Sequence, residues 1–266
     1  MRFYVAAGLA LLGGAAPAQT ILNPFRAGQF IELRGFAGLP GAGFGLMPDG
    51  TPSINGAMAF STPIGFSMKG GTFDIGLSDR SRNSAPQMVN FRTGSNNPSD
   101  STGQIQFGLG TPAGNFTLSY MVLSSEFDQA YNAQWQLPLK LKNAGVSVGV
   151  QNLTNRPLSA GDKLPGQFDY ALSLYAVGTY EVAPNDWVSL GYGDVRFKGP
   201  FGNASALVAP RLKATLEWDS ISWNYGLGYS FGHIRGLGDN LDLNETTLYL
   251  GEFAGYKLTV GLNFVF

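Results

Sequence analysis

The chain has no cysteine. That excludes disulfides, thiol catalysis, cysteine-based zinc sites and a lipid-modified N-terminal cysteine. Charge is scarce too: Asp, Glu, Lys and Arg make up 13% of the 266 residues, against about 25% in ordinary soluble domains. Beyond Leu12 there is no long apolar run, so no helix is predicted to span a bilayer. An exported chain that crosses a membrane without such helices has to cross as a barrel.

What is present agrees with that exclusion. Glycine (37 residues) and phenylalanine (19) are abundant, while mean hydropathy is close to zero at +0.01. Few charges, many aromatics and glycines and no long apolar run suit a wall that is greasy outside and polar inside. Residues 1–18 hold Arg2, an apolar stretch from Phe3 to Leu12, and small Ala16 and Ala18 around Pro17. They read as a secretory signal peptide cleaved after Ala18. Losing Arg2 leaves 16 of 17 Lys+Arg against 18 Asp+Glu, a net charge of −2. Nothing in that balance points to nucleic acid or to a basic membrane-surface anchor.

From residue 53 the chain pairs off into six hairpins. Ser53–Ser61 joins Phe66–Ser78, Thr102–Gly110 joins Asn115–Ser125, and Gln129–Lys140 joins Gly145–Asn152. Phe168–Val182 then joins Trp187–Phe197, Ser205–Trp218 joins Trp223–Phe231, and Glu245–Gly251 joins Tyr256–Phe266. Pro, Gly, Asn, Asp and Ser recur in the turns, where they tolerate or preset the dihedrals. The expectation is an all-β, transmembrane, antiparallel up-and-down β-barrel of about 12 strands over 53–266. Residues 19–52, with one short apolar stretch at Phe30–Leu33, are left as an N-terminal lead-in, a plug or an extra strand.

The two faces stay in phase from strand to strand. Phe116, Leu118, Tyr120 and Val122, or Trp223, Tyr225, Leu227 and Tyr229, share the apolar face. Thr117 and Ser119, Asn132, Gln134 and Gln136, and Asn224 and Ser230 share the polar one. A secreted soluble β-sandwich that binds sugar would alternate in the same way. The membrane reading is favoured because the polar face uses Gly, Ser, Asn and Gln where a wet sheet would use Lys and Glu. Tyr131, Trp187, Trp218 and Trp223, near strand ends, are expected in interfacial girdles. The longer connections, at about 80–101, 153–167, 198–204 and 232–244, are expected on the side of the C-terminus.

The final segment, Tyr256 to Phe266, is apolar at every second position and ends on an aromatic. It resembles the terminal strand of bacterial outer-membrane β-barrels, which implies that Tyr256, Phe264 and Phe266 form the signal read by the barrel-assembly machinery. Three further stretches carry a second resemblance: Gly38-Leu-Pro-Gly-Ala-Gly-Phe-Gly-Leu-Met-Pro-Asp-Gly50, Val146-Ser-Val-Gly-Val-Gln-Asn-Leu153, and Val188 to Gly202. They look like segments of the YjbH-type outer-membrane proteins. That resemblance implies a non-enzymatic barrel in the cell outer membrane, in contact with its lipid, associated with exopolysaccharide export and with periplasmic export components as partners. The chain is short for that family.

Candidate chemistry is sparse. The one histidine, His233, follows a strand end close to Ser230 and Asp239. An outer-membrane barrel enzyme would need such a histidine, but no Gly-x-Ser-x-Gly elbow accompanies it. Asp239, Asp242 and Glu245 offer hard oxygen ligands without the spacing of a calcium loop, so they read as a polar connection. Asp79, Arg80 and Arg82 read as a rim. No motif implies a cofactor. Arg211, Lys213 and Glu217 share the inward phase of one expected strand. They are either a charged constriction that selects what passes or a network that plugs a narrow lumen.

Overall fold

The computed structural model describes residues 33–34, 37–81, 99–123, 128–139, 141–154, 172–234, 243–253 and 257–266. Twelve antiparallel strands close into one barrel in simple sequence order. They are β1 (Phe73–Ser81), β2 (Ser99–Thr111), β3 (Gly114–Leu123), β4 (Asp128–Gln136), β5 (Ala144–Gln151) and β6 (Ser173–Ala183). Then follow β7 (Asp186–Gly193), β8 (Gly199–Ala209), β9 (Leu212–Trp218), β10 (Trp223–Ser230), β11 (Glu245–Phe253) and β12 (Lys257–Val265). β12 returns to β1, with Ile75 opposite Phe264. Because the sheet closes on itself, the sandwich alternative is corrected: among the described residues no second sheet covers the apolar face.

The expected faces hold. Leu118, Tyr131, Val148, Trp223, Leu227 and Tyr229 are exposed on the outside, while Thr117, Asn132, Gln134, Ser147 and Asn224 are buried inside. Aromatic pairs gather toward both ends of the outer wall. Phe73 meets Phe107 at 4.8 Å and Phe266 at 5.8 Å, and Phe116 stacks on Trp135 at 5.6 Å. Tyr120 and Tyr131, 4.9 Å apart, and Trp218 and Trp223, 5.5 Å apart, lie nearer the other end.

Two of the expected strands are corrected, and the corrections offset each other in the count. Residues 53–61 are not a wall strand, since the barrel begins at Phe73. The expected strand Ser205–Trp218 is a hairpin, β8 and β9, joined at Pro210 and Arg211. Arg211 takes a φ of 66° there, the left-handed backbone that the second central position of a type II turn requires, behind a proline at the first. Alternation could not reveal this turn. Ser205 pairs with Thr215 and Asn203 with Glu217, so odd-numbered residues point inward on both strands, as they would in one unbroken strand.

These corrections reverse the expectation for two of the four long connections, and a third, 198–204, falls almost wholly within β8. The segments 82–98 and 152–172 join strand ends opposite Phe266, and only 231–244 lies at the Phe266 end. The other connections at the Phe266 end are 112–113, 137–143, 184–185 and 210–211.

Residues 37–72 occupy the lumen. Phe44, Leu46, Ala57, Ala59, Ile64, Phe66 and Met68 form an apolar cluster with two wall residues, Trp187 and Val265. A second cluster joins Ala37, Leu39 and Ala42 to Tyr175, Val177 and Phe201 of the wall. The expected barrel boundary at residue 53 therefore falls inside one internal segment.

Candidate functional site: the filled lumen

The internal segment crosses the lumen three times. Arg34 and Ala37 lie at the end opposite Phe266, where Ala37 accepts from Gln151. The chain runs to a turn at the Phe266 end, where Pro48 accepts from Gln136 and Asp49 accepts from Asn115. There Asp49 caps Thr51 through its backbone N and its hydroxyl, at 3.0 and 2.8 Å. Gly50 has a φ of 83°, and a Cβ on it would stand 2.4 Å from the Ser67 carbonyl. The chain then returns to Ser61, and finally descends again through Gly65 and Met68 to β1.

This segment has little regular pairing of its own, with isolated bridges such as Ala42 to Ala59 and Leu46 to Ala57. Its backbone donors and acceptors need partners, since buried polar groups left unmade are costly. The wall supplies them. Gln134 donates to the carbonyls of Ile64 and Phe66, at 3.1 and 2.8 Å. Thr179 and Thr117 accept from Gly65 N and Met68 N, both at 2.7 Å. Asn203 donates to Thr62 and Pro63, and Ser205 accepts from Met58 N. Ser119 and Asn132 both donate to the Gly38 carbonyl, at 2.6 and 2.9 Å. The polar inner face is thus complementary to a peptide backbone.

The three lumen candidates separate. Glu217 is buried, and its carboxylate accepts from Phe60 N at 2.6 Å, Ser61 N at 3.0 Å and Ser61 Oγ at 2.5 Å. Lys213 is buried too, and donates to the carbonyls of Gly56 and Asn185. Four residues apart on a strand, they stand about 13 Å apart and hold different parts of the plug. Arg211 is corrected: it is exposed in the β8–β9 turn, on the rim and not in the inward phase.

Around Ser61 the contacts become continuous, at the end opposite Phe266. Arg34 Nε donates to Asp219 Oδ2 at 2.6 Å, and Arg34 Nη2 donates to Ser222 Oγ at 2.5 Å. Ser222 donates to Asn224, and Asn224 to Ser61. Arg196 donates to the Ser61 carbonyl at 2.6 Å. Asp219 lies in the turn after β9, where its other oxygen accepts from Ile221 N and Ser222 N. Burial works to raise its carboxyl, but the charges of Arg34 and Arg196, with these hydrogen bonds, bring it down to about 2.

The remaining candidates lie apart from this network or outside the described residues. Trp187 is corrected from girdle to plug contact: its indole donates to Asn55 O at 2.8 Å and packs edge-on against Phe66. His233 is exposed on the rim, whereas Ser230 is turned inward and donates to Glu245. Asp239 and Asp242 fall outside the described residues, while Glu245 lies on the inner wall. Asp79 is buried in β1, and the side chains of Arg80 and Arg82 fall outside the described residues. Phe266 closes the ladder, exchanging backbone hydrogen bonds with Phe73. Phe264 lies opposite Ile75 and Thr246, and Tyr256 falls outside the described residues. Sequence reasoning missed Arg34, Arg196 and Asp219. It also missed the signal that could have exposed the plug, namely Trp187, Tyr175, Phe201 and Val265 sitting in the polar phase.

Solved structures similar to this chain include the KdgM porin, at 9% identity with a TM-score of 0.42, covering 72% of this chain and 98% of that one. Omp33 of Acinetobacter baumannii is 11% identical with a TM-score of 0.38, covering 73% of this chain and 96% of its own. An outer-membrane channel of Pseudomonas putida F1 is 10% identical with a TM-score of 0.38, covering 74% and 96%. No family model matches the chain, so the YjbH-type resemblance finds no support there, and no curated protein matches it.

Proposed function

We propose that the chain is a non-enzymatic β-barrel of the bacterial outer membrane, closed at rest by its own residues 37–72 and conducting only when they are displaced. The observation that carries this reading is the use of the inner wall: Gln134, Thr179, Asn203, Lys213 and Glu217 are all engaged by the plug. The membrane setting is supported by a closed wall whose exposed side chains include Leu77, Leu118, Leu190 and Tyr192, with aromatics toward both ends. Bilayers accept closed barrels because every backbone group in them is paired. Outer-membrane barrels commonly carry their longer loops outside the cell. That places 82–98 and 152–172 outside, with Phe266 and the 231–244 connection toward the periplasm and any export partner there. An exopolysaccharide, the cargo implied by the YjbH-type resemblance, could pass this lumen only after the plug had left it.

Planar-bilayer recordings test the reading. The wild type should be silent at rest, and the double variant Lys213→Ala with Glu217→Ala should open in bursts. A steady open conductance in the wild type would reject it.

A further inference from the structure

We infer that the plug yields on one side only, so that small hydrated ions pass along the inner wall of β11, β12, β1 and β2 while residues 62–72 stay in place. The inference rests on the proposed gated barrel and adds the route within its lumen. The two parts of the plug are held differently. Residues 41–59 bond to one another: Gly43 N donates to Ala59 O, Ala59 N donates to Gly41 O, and Leu46 and Ala57 exchange backbone hydrogen bonds. On the wall they hold mainly to β7, β8 and β9, through Asn55, Met58 and Gly56. Residues 62–68 bond to the wall throughout, with Asn203, Gln134, Thr179, Gln136 and Thr117 as partners. They also run within a few residues into β1 at Phe73, which ties them to the sheet.

Against β11, β12, β1 and β2, residues 37–59 make few hydrogen bonds. Gln106 reaches Leu39 O at 3.4 Å and Asn263 reaches Ala42 O at 3.5 Å, while Glu245 takes Ile54 N. Ring contacts complete this side, with Tyr249 lying over Gly43 and Phe60 over Gly251. Parting such surfaces leaves few donors unmade, whereas lifting residues 62–68 would strand a row of them.

The same side holds polar wall atoms that nothing satisfies. Asp74 Oδ1, Gln104 Oε1, Gln106 Oε1, Thr247 Oγ1 and Thr259 Oγ1 are buried without a hydrogen-bond partner. Gln104 Nε2 donates to Asp74 Oδ2 at 2.8 Å, which fixes that amide and leaves its Oε1 an acceptor. These atoms span the wall from Asp74, opposite Val265, to Thr259, opposite Arg80. Buried groups left unmade are costly, and water arriving with an ion satisfies them. Thr117, Gln134 and Thr179 already bond residues 62–68, so water gains less there.

The chain has no cysteine, so an introduced thiol is the sole target of a thiol reagent. Thr247→Cys, Thr259→Cys, Ser147→Cys and Ser189→Cys would each be made in the Lys213→Ala, Glu217→Ala protein and exposed to a small anionic methanethiosulfonate during open bursts in planar bilayers. Thr247 and Thr259 lie on the inferred route. Ser147 lies on β5, whose Gly145 packs against Gly65 and Phe66, and Ser189 on β7 bonds Thr179, the acceptor of Gly65 N. The hydroxyls of Thr247, Thr259 and Ser147 have no partners, so those three substitutions remove no hydrogen bond. The reagent should cut burst current about twofold at Thr247→Cys and Thr259→Cys, because a charge fixed in a narrow path alters conduction, and should leave the other two unaffected. Loss of current at all four, at Ser147→Cys or Ser189→Cys alone, or at none would overturn the route while the gated barrel stands. If the parent double variant shows no bursts, the gating reading fails and the route with it. Two positions on each side preserve the comparison when one variant does not insert.

Discussion

The Ser61 hydroxyl donates to the Glu217 carboxylate at 2.5 Å, fixing the second bend of the plug to β9. Two backbone donors, Phe60 N and Ser61 N, use the same carboxylate. Glu217→Ala would leave all three donors without their acceptor, at a cost on the order of 3 kcal/mol, since each buried donor left unmade costs about 1–3. Urea titration read by the gel shift of folded against unfolded barrel should show the midpoint fall. Glu217→Gln, which keeps an oxygen, should lose less.

Lys213 and Arg211 make a contrasting pair. Lys213→Ala removes a buried cation that holds Gly56 and Asn185, and should destabilise by about 2 kcal/mol. Arg211→Ala acts at an exposed turn and should stay within about 0.5 kcal/mol of wild type. Equal losses in the same titration would contradict the separation of these two residues.

Gly38 is placed where no side chain fits. Its φ is 63°, and an added Cβ would stand 1.9 Å from Met121 Sδ. Gly38→Ala should lower the urea midpoint clearly. Adding Met121→Ala should recover part of the loss by clearing the clash, and the remainder measures the backbone strain.

Acid should release the Arg34 end of the plug. The folded Asp219 carboxyl lies at about 2, below its value of about 3.9 in an unfolded chain. Its contribution is therefore complete above about pH 4 and is lost as pH falls toward 2. The difference is on the order of 2–3 kcal/mol. Bilayer opening events should become frequent across that window in the wild type, and Asp219→Asn should be leaky already at neutral pH and flat across it.

Trp187 offers an optical readout. It is buried against Phe66 and Asn55, whereas Trp223 is exposed on the outer wall. A variant keeping Trp187 as its sole tryptophan should resist acrylamide quenching at rest, and lose that protection under any condition that raises conductance.

The wall was legible because its physics is periodic. Phe116 to Val122 and Trp223 to Phe231 alternate whether or not their neighbours are known, and a two-faced strand has one way to meet lipid. A plug was one of the readings left open for residues 19–52, but its continuation through 53–72 was not legible, for the same reason. Ile54, Gly56, Met58 and Phe60 also alternate, yet the surface they meet belongs to other strands. The β8–β9 turn was hidden because the β-bulge between Leu207 and Ala209 restores the parity that a two-residue turn shifts, and because Arg211 is not a residue that announces left-handed backbone. At the site, Lys213 and Glu217 were found by their phase. Arg34, Arg196 and Asp219 were not, because their association spans 185 residues between Arg34 and Asp219.

The closure of β1 against β12 bears on how the molecule is assembled. Ile75 meets Phe264 across nearly the whole length of the wall, so the seam forms only when the last strand arrives, and such distant pairings are slow to form. Residues 37–72 leave the ribosome before any strand that surrounds them. The wall is therefore built around an occupant already synthesised, and the seam that completes it also locks that occupant in.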